Sequence, residues 1–237
     1  MSARKRTKGD CVFCGKKMTS GGLVRHLKSC DDRIEAVTHT IENIKKAPEQ
    51  RLYHLYIKNS YNSDFWLHLE LNGNARLNEL DQYLRSIWLD CCGHMSQFTV
   101  GSNAWGEEIS MNRKVYQLLE TDMEMTHTYD FGSSTTTTVK VVDARWGKPL
   151  TAYPIFLMAR NEMPEASCDR CNKTAKWLFD DYTSYDGGEL LCDKHKDEEI
   201  GDEYGDELLE LVNSPRFGVC GYTGPATDPY REATTFE

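Results

Sequence analysis

The sequence predicts an α+β fold with a small zinc-binding module on each side, and three observations lead to this prediction. Apolar residues recur at three- and four-residue steps between Leu77 and Trp88, which is typical of an amphipathic helix. Between Phe65 and Leu71 the period changes to two, which is typical of a strand with one buried face. Cysteines and histidines at the spacing of zinc ligands lie before and after this central region.

Composition narrows the class of protein. The chain of 237 residues has a formal net charge of −9, which disfavours general binding of polyanions by the whole surface. No apolar run is long enough to cross a bilayer, and the basic N-terminus lacks the apolar core of a signal peptide. We therefore expect no membrane partner and a cytoplasmic location. Eight of the nine cysteines lie in short clusters, a pattern that favours metal ligation over disulfides in such a compartment.

Residues 1–31 predict a basic arm followed by a zinc finger. Cys11 and Cys14 form a Cys-x-x-Cys knuckle, and His26 and Cys30 are four residues apart, so on a helix both face the same way. We predict one structural zinc ion bound by these four residues.

The same segment is rich in basic residues, which could contact phosphate groups. Small single fingers also bind proteins, so both nucleic acid and protein stay open as partners of this module. The candidate nucleic-acid contacts are Arg4, Lys5, Arg6, Lys8, Lys16, Lys17, Arg25 and Lys28.

Residues 32–49 predict a linker helix. Apolar residues recur at helical spacing, and Pro48 ends the pattern. We expect this stripe to pack on the central domain or on a second copy of the chain. The stripe consists of Ile34, Val37, Ile41 and Ile44.

Residues 50–160 predict the central domain. Alternating segments on both sides of a polar turn at 59–63 predict a β-hairpin, and the amphipathic helix follows it directly. A hairpin crossed by a helix predicts a β-grasp-like sheet. Further strands are predicted from Phe98, at 123–131, at 135–142 and at 153–158, and a short helix is predicted within 111–120.

In the order of its motifs, this domain resembles the plasmid pRiA4b ORF-3-like family, a group of TnpR-type passenger proteins associated with mobile elements. The segment from Trp88 to Phe98, with its His94/Phe98 pair, and the Tyr129-Asp130-Phe131-Gly132 turn before a Thr/Val strand carry the resemblance. It covers about residues 50–160. The resemblance implies a compact α+β domain and no established activity.

Two departures from the family pattern follow the Tyr-Asp-Phe-Gly turn. Ser133, Ser134 and a threonine run stand where the family often has an acidic or tryptophan-bearing segment. A second zinc module replaces the Cys-Pro-Pro segment usual after the last strand.

Residues 161–200 predict that second module, a zinc ribbon. Cys168, Cys171, Cys192 and His195 form two knuckles, with short strand-like segments and a turn between them. All four positions of a tetrahedral ion are filled, so we predict a closed structural site without a position for a reactive water molecule. Residues 201–237 predict an acidic segment and a C-terminal loop docked on the core.

A third group of residues has two interpretations. Cys91, Cys92, His94 and Cys220 would form a third zinc site if the Cys220 loop docks beside the turn at Gly93. The alternative is a set of buried thiols beside a hydrogen-bonded core histidine. It is favoured by the fact that adjacent cysteines seldom bind the same metal ion without strain.

The sequence therefore predicts a non-enzymatic zinc-binding accessory protein that contacts nucleic acid through its basic N-terminus. The alternative is a protein-interaction adaptor that uses the zinc modules and the acidic tail. An enzyme is less favoured, because no phosphate-binding loop or nucleophile elbow occurs and only the Cys91/Cys92/His94 turn could supply a thiolate pair.

Overall fold

A seven-stranded antiparallel sheet forms the centre of the computed structural model, which describes residues 6–43, 47–179, 188–199 and 208–231. The fold is mixed α+β with few helices. The strands are β1 (Lys8–Asp10), β2 (Lys17–Thr19), β3 (Gln50–Asn59), β4 (Trp66–Asn72), β5 (Ser96–Val100), β6 (Glu108–Ile109), β7 (Glu124–Tyr129), β8 (Thr135–Gly147), β9 (Ile155–Arg160), β10 (Trp177–Phe179), β11 (Glu189–Leu191) and β12 (Leu208–Glu210). The helices are α1 (Ser20–His26), α2 (Asp31–Asn43), α3 (Leu77–Leu84) and α4 (Asp193–Glu199).

The strand order in the large sheet is β6-β5-β7-β8-β3-β4-β9. The predicted hairpin is confirmed as β3 and β4, whose register pairs Leu55 with Leu69 and Ile57 with Leu67. Because side chains alternate along a strand, these three leucines and Ile57 share one face, while Trp66, His68 and Glu70 lie on the other. The sheet therefore has two different faces to cover.

Helix α3 covers the apolar face. Leu77, Leu80 and Leu84 join the leucines of β3 and β4 in one buried cluster. The helix continues as a single π-helical turn, Arg85–Leu89, and the predicted amphipathic helix is thus confirmed. Trp88, in that turn, is also fully buried. The chain then reaches β5 through the Gly93 turn, where Gly93 has a φ of +75° that favours glycine.

The N-terminal finger (residues 6–30) covers part of the opposite face, and an ion pair ties helix α2 to the same face. Leu23 and Leu27 of the finger are buried with Trp66 of β4. Helix α2 is anchored by polar contacts, because Arg33 bonds the buried carboxylate of Glu70 at 3.1 Å. Arg145 of β8 binds the same carboxylate at 2.6 and 2.9 Å, so two arginines neutralise one buried charge.

Helix α2 lies almost entirely within the predicted linker helix, but its apolar stripe is covered only in part. Ile34 and Ile41 are 53 % and 42 % exposed, Val37 is half-buried, and Ile44 lies outside the described residues. Arg33 anchors this helix to the sheet. Packing of the stripe on a second copy stays a prediction. The helix expected within 111–120 is a single 3₁₀ turn, Val115–Gln117, because backbone hydrogen bonds tie this segment to the start of α3.

All strand pairings in the three described sheets are antiparallel, and the β-grasp likeness stays a prediction. Strand β8 runs to Gly147, five residues beyond its predicted end at 142, because β3 offers a partner along that whole length. Among the described residues, no helix combines the length and apolar character that a bilayer crossing needs.

Candidate metal centres

The first set of ligands lies in the N-terminal finger. Cys11 and Cys14 occupy the loop of the β1–β2 hairpin, where Gly15 turns at φ +69° and donates its N–H to the Cys11 carbonyl at 2.8 Å. His26 ends α1, and its Nε2 lies 3.2 Å from Cys14 Sγ. Cys30 completes the finger cluster (Cys11, Cys14, His26 and Cys30), whose ligand atoms all lie within 4.8 Å of one another.

The finger that carries this cluster packs against the main sheet. Besides the buried Leu23 and Leu27, the Phe13 ring packs 5.7 Å from that of Phe156 on β9. A Cβ atom at Gly9 would lie 1.9 Å from the Arg160 carbonyl oxygen, so the close approach of β1 to β9 requires glycine there. The finger therefore shares its small core with the central sheet.

The second set lies in the ribbon, which comprises the described residues between 167 and 210. Cys171 N–H bonds the Cys168 carbonyl at 3.3 Å in one knuckle, while Cys192 and His195 lie at the start of α4. The Cys171 and Cys192 sulfurs are 3.8 Å apart, and His195 Nδ1 lies 3.2 Å from Cys168 Sγ. These four residues are the ribbon cluster, again within 4.8 Å of one another.

The ribbon differs in part from the prediction. Its sheet has a third strand, β12, which pairs with β10 and takes residues 208–210 out of the predicted acidic segment. Helix α4, which carries His195, was not predicted either. The first three residues of the predicted turn at 185–188 and all four acidic residues between 200 and 207 lie outside the described residues.

The third set comes together at the Gly93 turn. Cys220 Sγ lies 3.7 Å from Cys92 Sγ and 3.4 Å from His94 Nε2, and Cys92 Sγ lies 3.0 Å from the same nitrogen. Cys91 Sγ is 3.8 Å from Cys92 Sγ. These four residues form the loop cluster, also within 4.8 Å; Cys92 and Cys220 are exposed and the other two half-buried. The alternative of buried thiols therefore does not describe Cys92 or Cys220.

A buried arginine sets the electrostatics of the loop cluster. Arg216 is fully buried, bonds Asp130 at 2.7 Å and lies 3.4 Å from Cys91 Sγ. Its guanidinium lowers the pKa of the Asp130 carboxyl to about 2. Burial raises the pKa of the Cys91 thiol, but the hydrogen bonds from Arg216 and Tyr129 outweigh burial and bring that pKa to about 7. Cys91 thus lies where a thiolate is electrostatically favoured.

Sequence reasoning missed Arg216, since a single arginine in a loop has no spacing signal. It also missed a pair of buried histidines beneath the finger. His68 Nε2 donates to the Ser20 carbonyl at 3.1 Å, so its Nδ1 accepts from His54 Nε2 at 2.9 Å. Burial lowers the pKa of His68 to about 4 and that of His54 well below its usual value, so both rings are neutral at pH 7.

The candidate nucleic-acid residues lie on the outside of the finger. Arg4 and Lys5 lie outside the described residues. The other six are exposed, and the structure pairs two of them with acidic residues: Lys17 with Glu162, and Lys28 with Asp143 at 3.6 Å. The exposed six are Arg6, Lys8, Lys16, Lys17, Arg25 and Lys28.

Fold and sites together define an α+β protein with three Cys/His clusters, each able to hold a metal ion. No protein-family model matches the chain. No curated protein matches it at a significant level. A solved structure of a protein of unknown function from Methanosarcina mazei Go1 is similar over 47 % of this chain and 69 % of that one, with 19 % identity and a TM-score of 0.39.

Proposed function

We propose that this protein is a non-enzymatic zinc-binding accessory protein that contacts nucleic acid through its N-terminal finger. The observation that carries the proposal is the pair of four-ligand clusters, one in the finger and one in the ribbon. Each offers three cysteines and one histidine, a ligand set that favours zinc over the hard cations that prefer oxygen.

The distances within the clusters support zinc. A tetrahedron with Zn–S bonds of about 2.3 Å has sulfur–sulfur edges of about 3.8 Å. The Cys171 and Cys192 sulfurs are separated by 3.8 Å. Four protein ligands leave no open coordination position, so each ion is structural and the clusters supply no site for hydrolysis.

The position of the basic residues supports the contact with nucleic acid. Helix α1 and the residues after it bury Leu23 and Leu27 against the sheet and direct Arg25 outward. Lys16 lies exposed in the loop of the zinc knuckle. A small basic surface on a chain with a net charge of −9 would bind phosphate at one place and repel it elsewhere.

The experiment compares two double variants with the same loss of charge. Lys16→Gln/Arg25→Gln removes two charges from the finger, and the control Lys173→Gln/Arg113→Gln removes two exposed charges elsewhere. Binding to labelled DNA and RNA is measured over a series of salt concentrations. The finger variant should weaken binding, and its slope of log K against log salt should fall by about 2.

Both variants should keep the metal content of the wild type, which separates loss of contacts from loss of the finger. Equal weakening by the two variants, or no binding by the wild type, would refute the nucleic-acid contact. Deleting the whole finger is a poor test because it would uncover Trp66 of the sheet. Protein partners that survive nuclease treatment and depend on residues 165–237 would instead favour the adaptor function.

Membership of the pRiA4b ORF-3-like family is part of this proposal. Its support is the Tyr-Asp-Phe-Gly turn, in which Asp130 accepts the Gly132 N–H at 2.8 Å and binds Arg216. The proposed family relation concerns residues 50–160 and adds no activity.

A further inference from the structure

We propose that the loop cluster is a third structural zinc site, which fastens the C-terminal segment Ser214–Tyr230 to the central sheet. This inference concerns metal binding at Cys91, Cys92, His94 and Cys220, and it does not depend on contact with nucleic acid.

The first argument is geometric. The two sulfur–sulfur separations along the cluster, Cys91–Cys92 at 3.8 Å and Cys92–Cys220 at 3.7 Å, match the edge of about 3.8 Å expected around zinc. His94 Nε2 lies 3.0 and 3.4 Å from two of the sulfurs. The adjacency of Cys91 and Cys92 is therefore no obstacle, since their side chains already point to a common centre.

The second argument comes from the cysteines as a set. All nine are free thiols, and the finger and ribbon clusters use six of them. The remaining three, Cys91, Cys92 and Cys220, meet at one place with one histidine. The loop cluster thus repeats the ligand set of the other two clusters, and it leaves no cysteine over.

The third argument is that the cluster is assembled by contacts that do not involve its ligands. Ser214 Oγ donates to the Trp88 carbonyl at 2.6 Å, and Arg216 binds Asp130 and the Ser133 carbonyl. Further along, Tyr83 donates to the Asp228 carboxylate at 3.0 Å. These contacts hold the loop so that Cys220, with φ +52° and ψ +39°, faces the Gly93 turn.

The charge around the site also suits a bound ion. Zinc with three thiolates carries one net negative charge, and the buried Arg216 guanidinium lies 3.4 Å from Cys91 Sγ. Tyr129 OH lies 3.7 Å from the same sulfur. Outer groups of this kind orient metal ligands and stabilise their charge.

A disulfide is the competing use of these thiols. The 3.7 Å between the Cys92 and Cys220 sulfurs far exceeds an S–S bond of about 2.05 Å. A disulfide would also use two of the three sulfurs and leave Cys91 and His94 without a role at the site.

The experiment counts zinc ions in the intact protein by native mass spectrometry after purification with a thiol reductant and added zinc. The wild type should carry three ions and Cys220→Ser two. The control Thr223→Ala, an exposed change in the same segment, should keep three. Cys92→Ser is the second ligand variant, in case Cys220→Ser fails to fold.

Alkylation supplies an independent measurement. In the zinc-loaded wild type, Cys92 and Cys220 should resist N-ethylmaleimide despite their exposure and react after a chelator is added. Two ions in both the wild type and Cys220→Ser would overturn this inference while leaving the finger and ribbon sites intact. Rapid alkylation of Cys220 in the zinc-loaded protein, or a Cys92–Cys220 disulfide, would overturn it too. A wild type without zinc would overturn the proposed function as well.

Discussion

The finger and the ribbon carry the same ligands, three cysteines and one histidine, but the surroundings of those ligands differ. In the finger, Leu23 and Leu27 are fully buried and pack with Trp66 of the large sheet. In the ribbon, three strands of three residues each form a separate sheet, and Trp177, Leu178 and Phe179 of its central strand are all only half-buried.

From this difference we expect the proposed ions to stabilise the two modules to different degrees. Apolar burial contributes roughly 25 cal/mol per Å², so the finger would gain stability from the sheet as well as from the proposed ion. Small modules with little apolar core depend mainly on the metal, as zinc fingers that unfold without it illustrate. We therefore expect the ribbon to depend on its ion more strongly than the finger does.

The largest expected effect is a difference in how much structure the ribbon and the finger lose when each loses one metal ligand. Cys192→Ser should release the ribbon ion, worth about 10–16 kcal/mol in isolated zinc peptides, and unfold the ribbon. Cys30→Ser should release the finger ion, yet β1, α1 and their contacts with β9 should stay partly formed. Hydrogen exchange followed by mass spectrometry reports each module separately. Equal loss of protection in both modules would contradict the comparison.

The next effect comes from removing the apolar contact between the finger and the sheet while all metal ligands stay in place. Trp66→Ala should lower the free energy of unfolding by about 3–5 kcal/mol, because Trp66 is buried between the sheet and the finger. Trp66→Phe, which keeps a ring in place, should cost less. Urea denaturation measures both, and hydrogen exchange in the ribbon should not change. A ribbon that loosens along with the finger would show that the two modules are coupled.

The third effect depends on pH and concerns the buried histidine pair beneath the finger. His68 has a folded pKa of about 4, below the unfolded value of 6.5, so the unfolded state binds more protons between these values. The stability due to neutral His68 is present above pH 6.5 and is lost as the pH falls toward 4, by at most about 3 kcal/mol.

The measurement is the urea midpoint of unfolding at several pH values between 7.5 and 5. A chromogenic chelator reports any release of zinc in the same samples. His68→Gln should flatten the pH dependence, whereas the control His39→Gln, at an exposed position of α2, should retain it. A slope that is the same in all three proteins would rule out the buried histidine pair as its source.

The smallest effect concerns the start of α1. Thr19 accepts the Gly22 N–H at 3.4 Å, a long helix-capping hydrogen bond. Thr19→Ala should therefore destabilise the finger by only about 0.5–1 kcal/mol, and Thr19→Ser should be nearly neutral. Thermal unfolding measures both. A larger loss than that caused by Trp66→Ala would mean that local capping, rather than packing on the sheet, holds the finger.

Local patterns predicted much of the fold. The alternation through Phe65–Leu71 and the apolar spacing of α3 correctly indicated β4 and its covering helix, since both follow from one buried face. The strands β6 and β12 were missed because two or three residues are too few for a period. The α2 stripe predicted a helix but not its anchor, because the Arg33–Glu70 ion pair has no spacing signal.

The candidate metal centres also divide into those that local sequence patterns predict and one that they leave open. Cys-x-x-Cys knuckles mark the finger and ribbon clusters because their ligands are close in the chain. Cys220 lies 126 residues from His94, and its position depends on Arg216 finding Asp130 across the fold. Such tertiary contacts leave no periodic signal, so the sequence alone left the loop cluster open between two interpretations.

The finger covers the edge strand β9, where Val12 N–H bonds the Met158 carbonyl at 3.0 Å and Glu162 N–H bonds the Lys8 carbonyl at 2.8 Å. During synthesis, residues 6–30 leave the ribosome long before β9 exists. Residues 6–30 must therefore wait for one of the later strands before they can dock. Until then Trp66 lacks the cover of the finger, and the β9 edge of the sheet stays open to pairing with other strands.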